Sequence, residues 1–353
     1  MSEERTPRKV PKRKEEIVSS LSEEIRSLPS GARLPSTSEL CARFHCAIMT
    51  VMRALDKLEQ RGEVVRRHGK GTFVSCRELR EIYVLVPAPG GRWSNDDTIY
   101  DLILQEARRR GITAHLIYAT TDNVFYHVDR SSLECIPPGG AVIVTNHWYH
   151  RVFRFLQERR CNVVFFDTFG DQLSIQMDAE IVMGWQRLIV PIRESIGEAV
   201  RRLAAKKHRN ILFLHRSVHS GTIQISAFRE ALRRENIPVD PAWEIYGNYQ
   251  ILYDVLDRRL HELPGCNAIL ASTPFQAEVA MTALAALRRR IPQDCSLVCL
   301  RDHPRLMAGT PPVTVVDYLP AAAADKALDM LASARSGPRT ESLDYEVHER
   351  GSI

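Results

Sequence analysis

The chain has 353 residues, 44% hydrophobic and 26% charged, with 18 Gly and 19 Pro, a profile that fits a globular protein of about two domains. No apolar run approaches the ~18 residues of a membrane span, and the N-terminus MSEERTPRKVPKRKEE has no apolar stretch of secretory type. Cys41, Cys46, Cys76, Cys135, Cys161, Cys266, Cys295 and Cys299 form no CxxC pair and join no histidine at zinc spacing. A reduced, cytoplasmic chain without metal or cofactor is expected. Residues 1–80 hold 17 Lys+Arg against 11 Asp+Glu, while the rest holds 31 against 32, so the net charge of +5 sits at one end. A basic module on a neutral body points to a polyanion contact there.

Residues 1–14 read as a basic tail, either solubilising or touching phosphates. Ile17, Val18, Leu21, Ile25 and Leu28 then form one helical stripe, stopped by Pro29-Ser30-Gly31. Ser36 with Glu39 makes a capping box for a second helix over Thr37 to Phe44, burying Leu40 and Phe44. A tight turn at His45-Cys46 leads to a third helix with Val51, Ala54, Leu55 and Leu58 on one face, ended by Gly62. EVVRRHGKGTFV reads as a hairpin turning at His68-Gly69-Lys70-Gly71. Three helices and a hairpin make a winged helix-turn-helix, with Arg53, Lys57, Arg61, Arg66, Arg67, His68 and Lys70 placed for nucleic acid. The GKGT fragment is not a P-loop, because no helix follows Thr72 and the pattern's first Gly is missing.

Leu34-Pro35-Ser36, Glu39-Leu40, Thr50-Val51, Arg53-Ala54-Leu55, Leu58, Gly62 and Arg67-x-Gly69-x-Gly71-Thr72-Phe73-Val74 resemble the N-terminal DNA-binding domain of GntR-family bacterial regulators, over residues 12–75. The resemblance implies DNA contacts from Ser36, Thr37 and Ser38, from Ala47, Ile48, Met49, Thr50, Met52, Arg53 and Lys57, and from Arg66, Arg67, His68, Gly69, Lys70 and Thr72. The chain departs from the family where sequence is read. Ala47-Ile48-Met49-Thr50-Val51-Met52 stands where Ser-Arg-x-Thr-Val-Arg is usual, and Ser38 replaces an Arg. Two readings follow. Either Ile48, Met49 and Met52 touch thymine methyls while Arg53 and the wing supply charge, or specific DNA binding is lost and the module persists as a scaffold.

From residue 81 strands alternate with helices. They run EIYVLVPAPG, a helix through Leu102, Ile103 and Ala107, ITAHLIYA, AVIVT, a helix around Val152–Leu156, and NVVFFD. Next come helix Ile196–Ala205, NILFLH, helix Ser226–Arg234, AWEIYG, helix Ile251–Leu263, AILAS, helix Gln276–Arg289, SLVCL, VTVVD and helix Ala321–Ala334. Residues 168–192 are expected to hold a strand and a lobe crossover that the pattern does not place. Continuous apolar strands between helices predict parallel sheets, and the body's length predicts two α/β lobes with a cleft at the strands' carboxyl ends. Ala199-Val200-Arg201-Arg202-Leu203 through His208–Leu214, Ala227–Leu232, Ile291-Pro292-x-Asp294-x-Ser296-Leu297-Val298 and Pro312–Asp317 resemble the effector domain of LacI-type regulators, which shares the periplasmic-binding-protein fold. The organisation expected is a tail (1–14), a winged helix-turn-helix (15–76), a linker (77–81) and a two-lobed periplasmic-binding-protein-like α/β domain (82–353), as in the arabinose-repressor kind of regulator.

The LacI-type ligand positions are altered. Gln224 replaces an Arg, Ala227 a Gly and Pro274 an Asp, and Arg301-Asp302 replaces an acidic pair. The polar and aromatic set at strand ends comprises Trp93, Asn95, Asp96, Asn146, His147, Trp148, Asp167, His215, Arg216, Gln224, Ser272, Thr273, Arg301, Asp302, Asp317 and Tyr318. Stacking and hydroxyl contacts from such a set suit a sugar, Arg216 and Arg301 suit an anionic ligand, and packing alone also accounts for each Trp or His. An enzyme is disfavoured. There is no GxSxG, Walker loop or HExxH, no pyridoxal-type context at Lys206, Lys207 or Lys326, and Asp178 with Glu180 reads as a solvated turn. The expectation is a cytoplasmic, dimeric bacterial regulator, by resemblance a repressor, bound to a pseudo-palindromic operator and controlled by a sugar-like effector, with no membrane partner. The alternative is a ligand-binding or assembly protein with degenerate DNA binding.

Overall fold

A computed structural model describes residues 11–28, 31–67, 69–74, 79–89, 98–121, 130–145, 150–168, 179–215, 221–246, 251–333 and 338–353. The N-terminal head contains α1 (Pro11–Ser27), α2 (Thr37–Phe44), α3 (Ile48–Gln60) and a hairpin of β1 (Val64–Arg67) and β2 (Gly71–Val74). The described part of α1 begins at Pro11, so residues 11–14 of the expected tail are helical. Proline is tolerated at that position because the first helical N–H groups have no intrahelical partner. Ile17, Val18, Leu21 and Ile25 pack with Leu40, Val51, Ala54, Leu55, Leu58, Val64 and Val74 into one small core. Phe44, expected to be buried, is half-buried at its edge.

Local chemistry sets the ends of these helices. Ser36 Oγ accepts from Glu39 N at 3.3 Å and Ser36 N donates to Glu39 Oε2 at 2.7 Å, so the box expected from sequence is formed. Helix α3 ends at Gly62 (φ +69°), where Gly62 N bonds Glu59 O at 2.8 Å and Glu63 N bonds Leu58 O at 2.9 Å. That left-handed residue lets the chain reverse into the hairpin with the last carbonyls satisfied. The buried Glu63 then accepts from Ser22 Oγ at 2.7 Å, tying α1 to the root of the hairpin.

The body holds two six-stranded sheets. The first lobe contains β3 (Glu81–Pro89), α4 (Thr98–Arg109), β4 (Thr113–Thr121), β5 (Ala141–Val144), α5 (His150–Glu158), β6 (Asn162–Asp167), α6 (Ala179–Met183) and β7 (Gln186–Ile189). The chain then builds the second lobe with α7 (Ile192–Ala205), β8 (Ile211–His215), α8 (Gly221–Arg234), β9 (Glu244–Tyr246), α9 (Leu252–Glu262), β10 (Ala268–Ala271), α10 (Pro274–Ala286), β11 (Ser296–Cys299), α11 (Pro304–Met307) and β12 (Thr314–Asp317). It returns to the first lobe with α12 (Ala322–Ala332) and β13 (Thr340–Ser342) and ends in the second with β14 (Glu346–His348). Strand orders are β13-β7-β6-β5-β3-β4 and β14-β12-β11-β10-β8-β9.

The alternation explains why the strands read as unbroken apolar runs. In β8, Ile211 and Phe213 face one cluster while Leu212 and Leu214 face another, and β10 splits its residues the same way. Helices cover both faces, so apolar residues point to both sides of these strands. The parallel expectation holds except at one edge, where β14 pairs antiparallel with β12 through Val316↔Val347. A strand arriving from the other lobe is free to run either way. The unplaced stretch 168–192 supplies β7 and the first crossover at Val190-Pro191. The chain leaves β7 and β12 at their carboxyl ends to enter the opposite lobe, so the carboxyl ends of both sheets face the crossovers.

Candidate functional site

In the head, α3 buries Val51, Ala54, Leu55 and Leu58 and turns its other face outward. Ile48 is 59%, Met49 60% and Met52 37% exposed, with exposed Arg53 beside them. Thr50 and Lys57 are half-buried, and Lys57 lies 3.7 Å from Glu15. The hairpin carries exposed Arg67 and Lys70. The Arg67 guanidinium sits over the Phe73 ring at 5.3 Å, a cation–π contact that holds the charge at the hairpin edge. Gly71 (φ +112°) allows Arg33 to approach, since a Cβ there would stand 3.1 Å from Arg33 Nε. Arg33, fixed by its bridge to Phe73, thus joins the basic cluster, although sequence reading omitted it. Nothing local signals that contact, which spans 40 residues.

Two expected contacts are otherwise engaged. The Ser36 hydroxyl is committed to Glu39 and lies 3.0 Å from Ser38 Oγ. Arg66 is held by Asp56, lies 3.4 Å from Glu59 Oε2, and reaches Met52 O at 3.4 Å. It braces the hairpin against α3. Thr37, Ser38, Ala47, Gly69 and Thr72 lie on the described surface or half-buried, and His68 lies outside the described residues.

In the body, buried polar groups gather at the strands' carboxyl ends. Asp167 ends β6, fully buried, and accepts from Arg187 Nη1 at 3.1 Å. His215 ends β8, with its ring 6.0 Å from that of Tyr246 on β9. Ser272 and Thr273 follow β10. Ser272 Oγ donates to Gln224 Oε1 at 3.1 Å, and Gln276 accepts from Ser272 N and Thr273 N while donating to His215 O at 3.0 Å. Gln276 therefore locks the ends of β8 and β10 together. The Thr273-x-x-Gln276 capping spacing announced it, and sequence reading passed over it. After β11, Arg301 Nε donates to Asp317 Oδ1 at 3.2 Å and its guanidinium lies 5.3 Å from the Tyr318 ring.

Asp302, expected at the ligand site, accepts from Arg350 Nη1 at 2.9 Å and Nη2 at 2.6 Å. That bidentate pair fastens the C-terminal segment to the end of β11. Arg301, proposed from sequence as an anion contact, is 2% exposed and already faces Asp317. Burying such groups costs several kcal/mol unless they are paired, and the described buried charged groups of the body, Asp167, Arg301 and Asp317, all lie at or just after the carboxyl ends of strands. Trp93, Asn95, Asp96, Asn146, His147, Trp148 and Arg216 lie outside the described residues. Among the described residues no group of His, Cys, Asp and Glu is placed to hold a metal ion, and no helix is long and apolar enough to cross a membrane.

Residues 13–74 match the bacterial regulatory proteins of the gntR family, and residues 200–353 match the periplasmic binding protein-like domain. The chain joins a GntR-type head to a periplasmic-binding-protein-like body. Together they describe a transcription regulator with a DNA-binding head and a periplasmic-binding-protein-like body. The chain is 29% identical over 172 residues to the probable opine utilization operon repressor of Rhizobium rhizogenes, covering 44% of this chain and 87% of that one. It is 36% identical over 55 residues to the uncharacterized HTH-type transcriptional regulator YurK of Bacillus subtilis, 16% of this chain and 23% of that one, so it spans about a quarter of that relative's length. Its fold resembles that of a transcriptional regulator CelR–cellobiose complex, with a TM-score of 0.60, 19% identity, and coverage of 87% and 92% of the two chains. These relatives are named as regulators, not as enzymes.

Proposed function

We propose that this GntR-type regulator is a repressor whose hold on a pseudo-palindromic operator is controlled by a neutral, sugar-like molecule bound between the lobes of its body. It acts in the cytoplasm as a homodimer that presents two winged heads to two half-sites. The observation that carries the ligand class is internal charge pairing. Asp167 faces Arg187, Asp317 faces Arg301, and Asp302 faces Arg350, so each described carboxylate at these strand ends already has a guanidinium. A charged ligand would have to compete with pairs that are costly to break, whereas neutral hydroxyls can share their remaining lone pairs and donors. The cellobiose complex of a structural relative supports the sugar class, and the repressor name of the Rhizobium relative supports the sign. Effector binding would favour one lobe closure and thereby one spacing of the heads, provided it binds one state more tightly.

The test has two stages. Selection from a random duplex library at near-physiological salt should enrich a palindrome, and neutral saccharides should then release it and raise the body's thermal midpoint. A response restricted to acidic sugars or sugar phosphates would overturn the neutral assignment. The exposed Ile48 and Met52, standing where the family pattern has arginines, favour a second reading in which DNA binding is degenerate. That reading requires no enriched sequence and only salt-sensitive bulk binding.

A further inference from the structure

Helix α3 presents an apolar strip inside a basic frame. Ile48, Met49 and Met52 are among the largest exposed apolar side chains of the head, and none of them carries a hydrogen-bond donor or acceptor suited to a base edge. Leaving them in water is unfavourable in the free protein, so the strip calls for a covering surface. Its frame says which kind. Arg53 follows on the same helix, while Arg33, Arg67 and Lys70 stand exposed at the hairpin. The helix's own carboxylates, Asp56 and Glu59, are engaged by Arg66, which lessens their repulsion of a polyanion. An apolar protein partner matches the strip but not the frame. Duplex DNA matches both, because phosphates meet the frame and the major groove displays one apolar group, the C5-methyl of thymine.

We infer that Ile48, Met49 and Met52 read thymine methyl groups, so that the operator's half-sites are specified by methyl contacts at A·T pairs rather than by arginine–guanine hydrogen bonds from the start of α3. The inference rests on the regulator reading above and names what that reading recognises. It also accounts for the departure of this helix from the family pattern without loss of specificity.

The test uses the full chain and the duplex enriched by selection, remade with deoxyuridine at one thymidine at a time, which removes only the methyl. The expected result is a set of positions in each half-site where the swap weakens binding about four-fold, the equivalent of one buried methyl. Met49→Ala protein should lose its response to the swap at one of these positions while keeping its salt slope. A tight enriched duplex indifferent to every swap overturns the inference and leaves the regulator reading intact. No enriched duplex overturns both. If Met49→Ser with Met52→Ser leaves duplex affinity unchanged but halves the sedimenting mass, the strip is a protein–protein surface and the inference falls.

Discussion

Arg66 and Lys70 sit four residues apart at the hairpin and have opposite jobs. Arg66 is braced against Asp56 and Glu59, whereas Lys70 is exposed at the turn. Lys70→Ala is therefore expected to weaken binding uniformly across sequences and to reduce the salt slope by about one. Arg66→Ala should leave that slope unchanged and instead lower the head's stability by about 0.5–1 kcal/mol. Binding isotherms at several salt concentrations, with thermal melts, separate the two. Arg301 tests burial in the same way. Arg301→Met leaves the Asp317 carboxylate buried opposite an apolar chain, at an expected cost of about 3–5 kcal/mol in urea unfolding of the body. Adding Asp317→Asn should recover most of that loss, because the charge disappears while one acceptor remains for the Leu319 amide, now 2.9 Å from Asp317 Oδ1.

Elements were largely legible because their signals are local. The Ser36–Glu39 box, the Gly62 stop and the unbroken apolar runs of the strands all lie within a few residues of the backbone they control. Helix α12 shows what is not local, since it forms after the second crossover and docks on α4 of the first lobe. Arg110 Nη1 reaches Asp329 Oδ1 at 2.6 Å and also engages Asp325, while Glu106 takes Arg109 Nε at 2.7 Å and Arg110 Nε at 2.6 Å. Hydrogen bonds from Arg109 and Arg110 hold the Glu106 carboxyl at about 2, below its ordinary 4.5. Because the folded value lies below the unfolded one, this stabilisation is complete above about pH 4.5 and is lost as pH falls towards 2. Thermal midpoints of the wild type and of Glu106→Gln, compared from neutral to acid pH, should differ at neutrality and converge in acid.

At the scale of the molecule, the lobes are one folding problem rather than two. The chain crosses between them after β7, after β12 and after β13, and the last segment edges both sheets. Ser352 Oγ bridges Leu297 O at 2.5 Å and Thr314 N at 2.8 Å, while Arg350 clasps Asp302. Ending the chain at residue 337 would bare the edges of β7 and β12 and strip Asp302 of its partner. Such a truncation is expected to abolish the body's cooperative transition and to promote aggregation through the bared edges. Near-UV circular dichroism and sedimentation would check it, and Arg350→Ala should be far milder because both edge strands remain.

By itself the sequence determined the helices, most strands, the caps, the winged head and the order of the two modules, because periodicity and backbone hydrogen bonding are written over a few neighbouring positions. Tertiary structure alone decided which charges remain available. Asp302 lies 48 residues from Arg350, and Asp167 lies 20 from Arg187. Such partners meet only through strand order and lobe crossing. No periodicity encodes that order, and so the pairing of Asp167, Asp302 and Asp317 with arginines was not legible in the sequence.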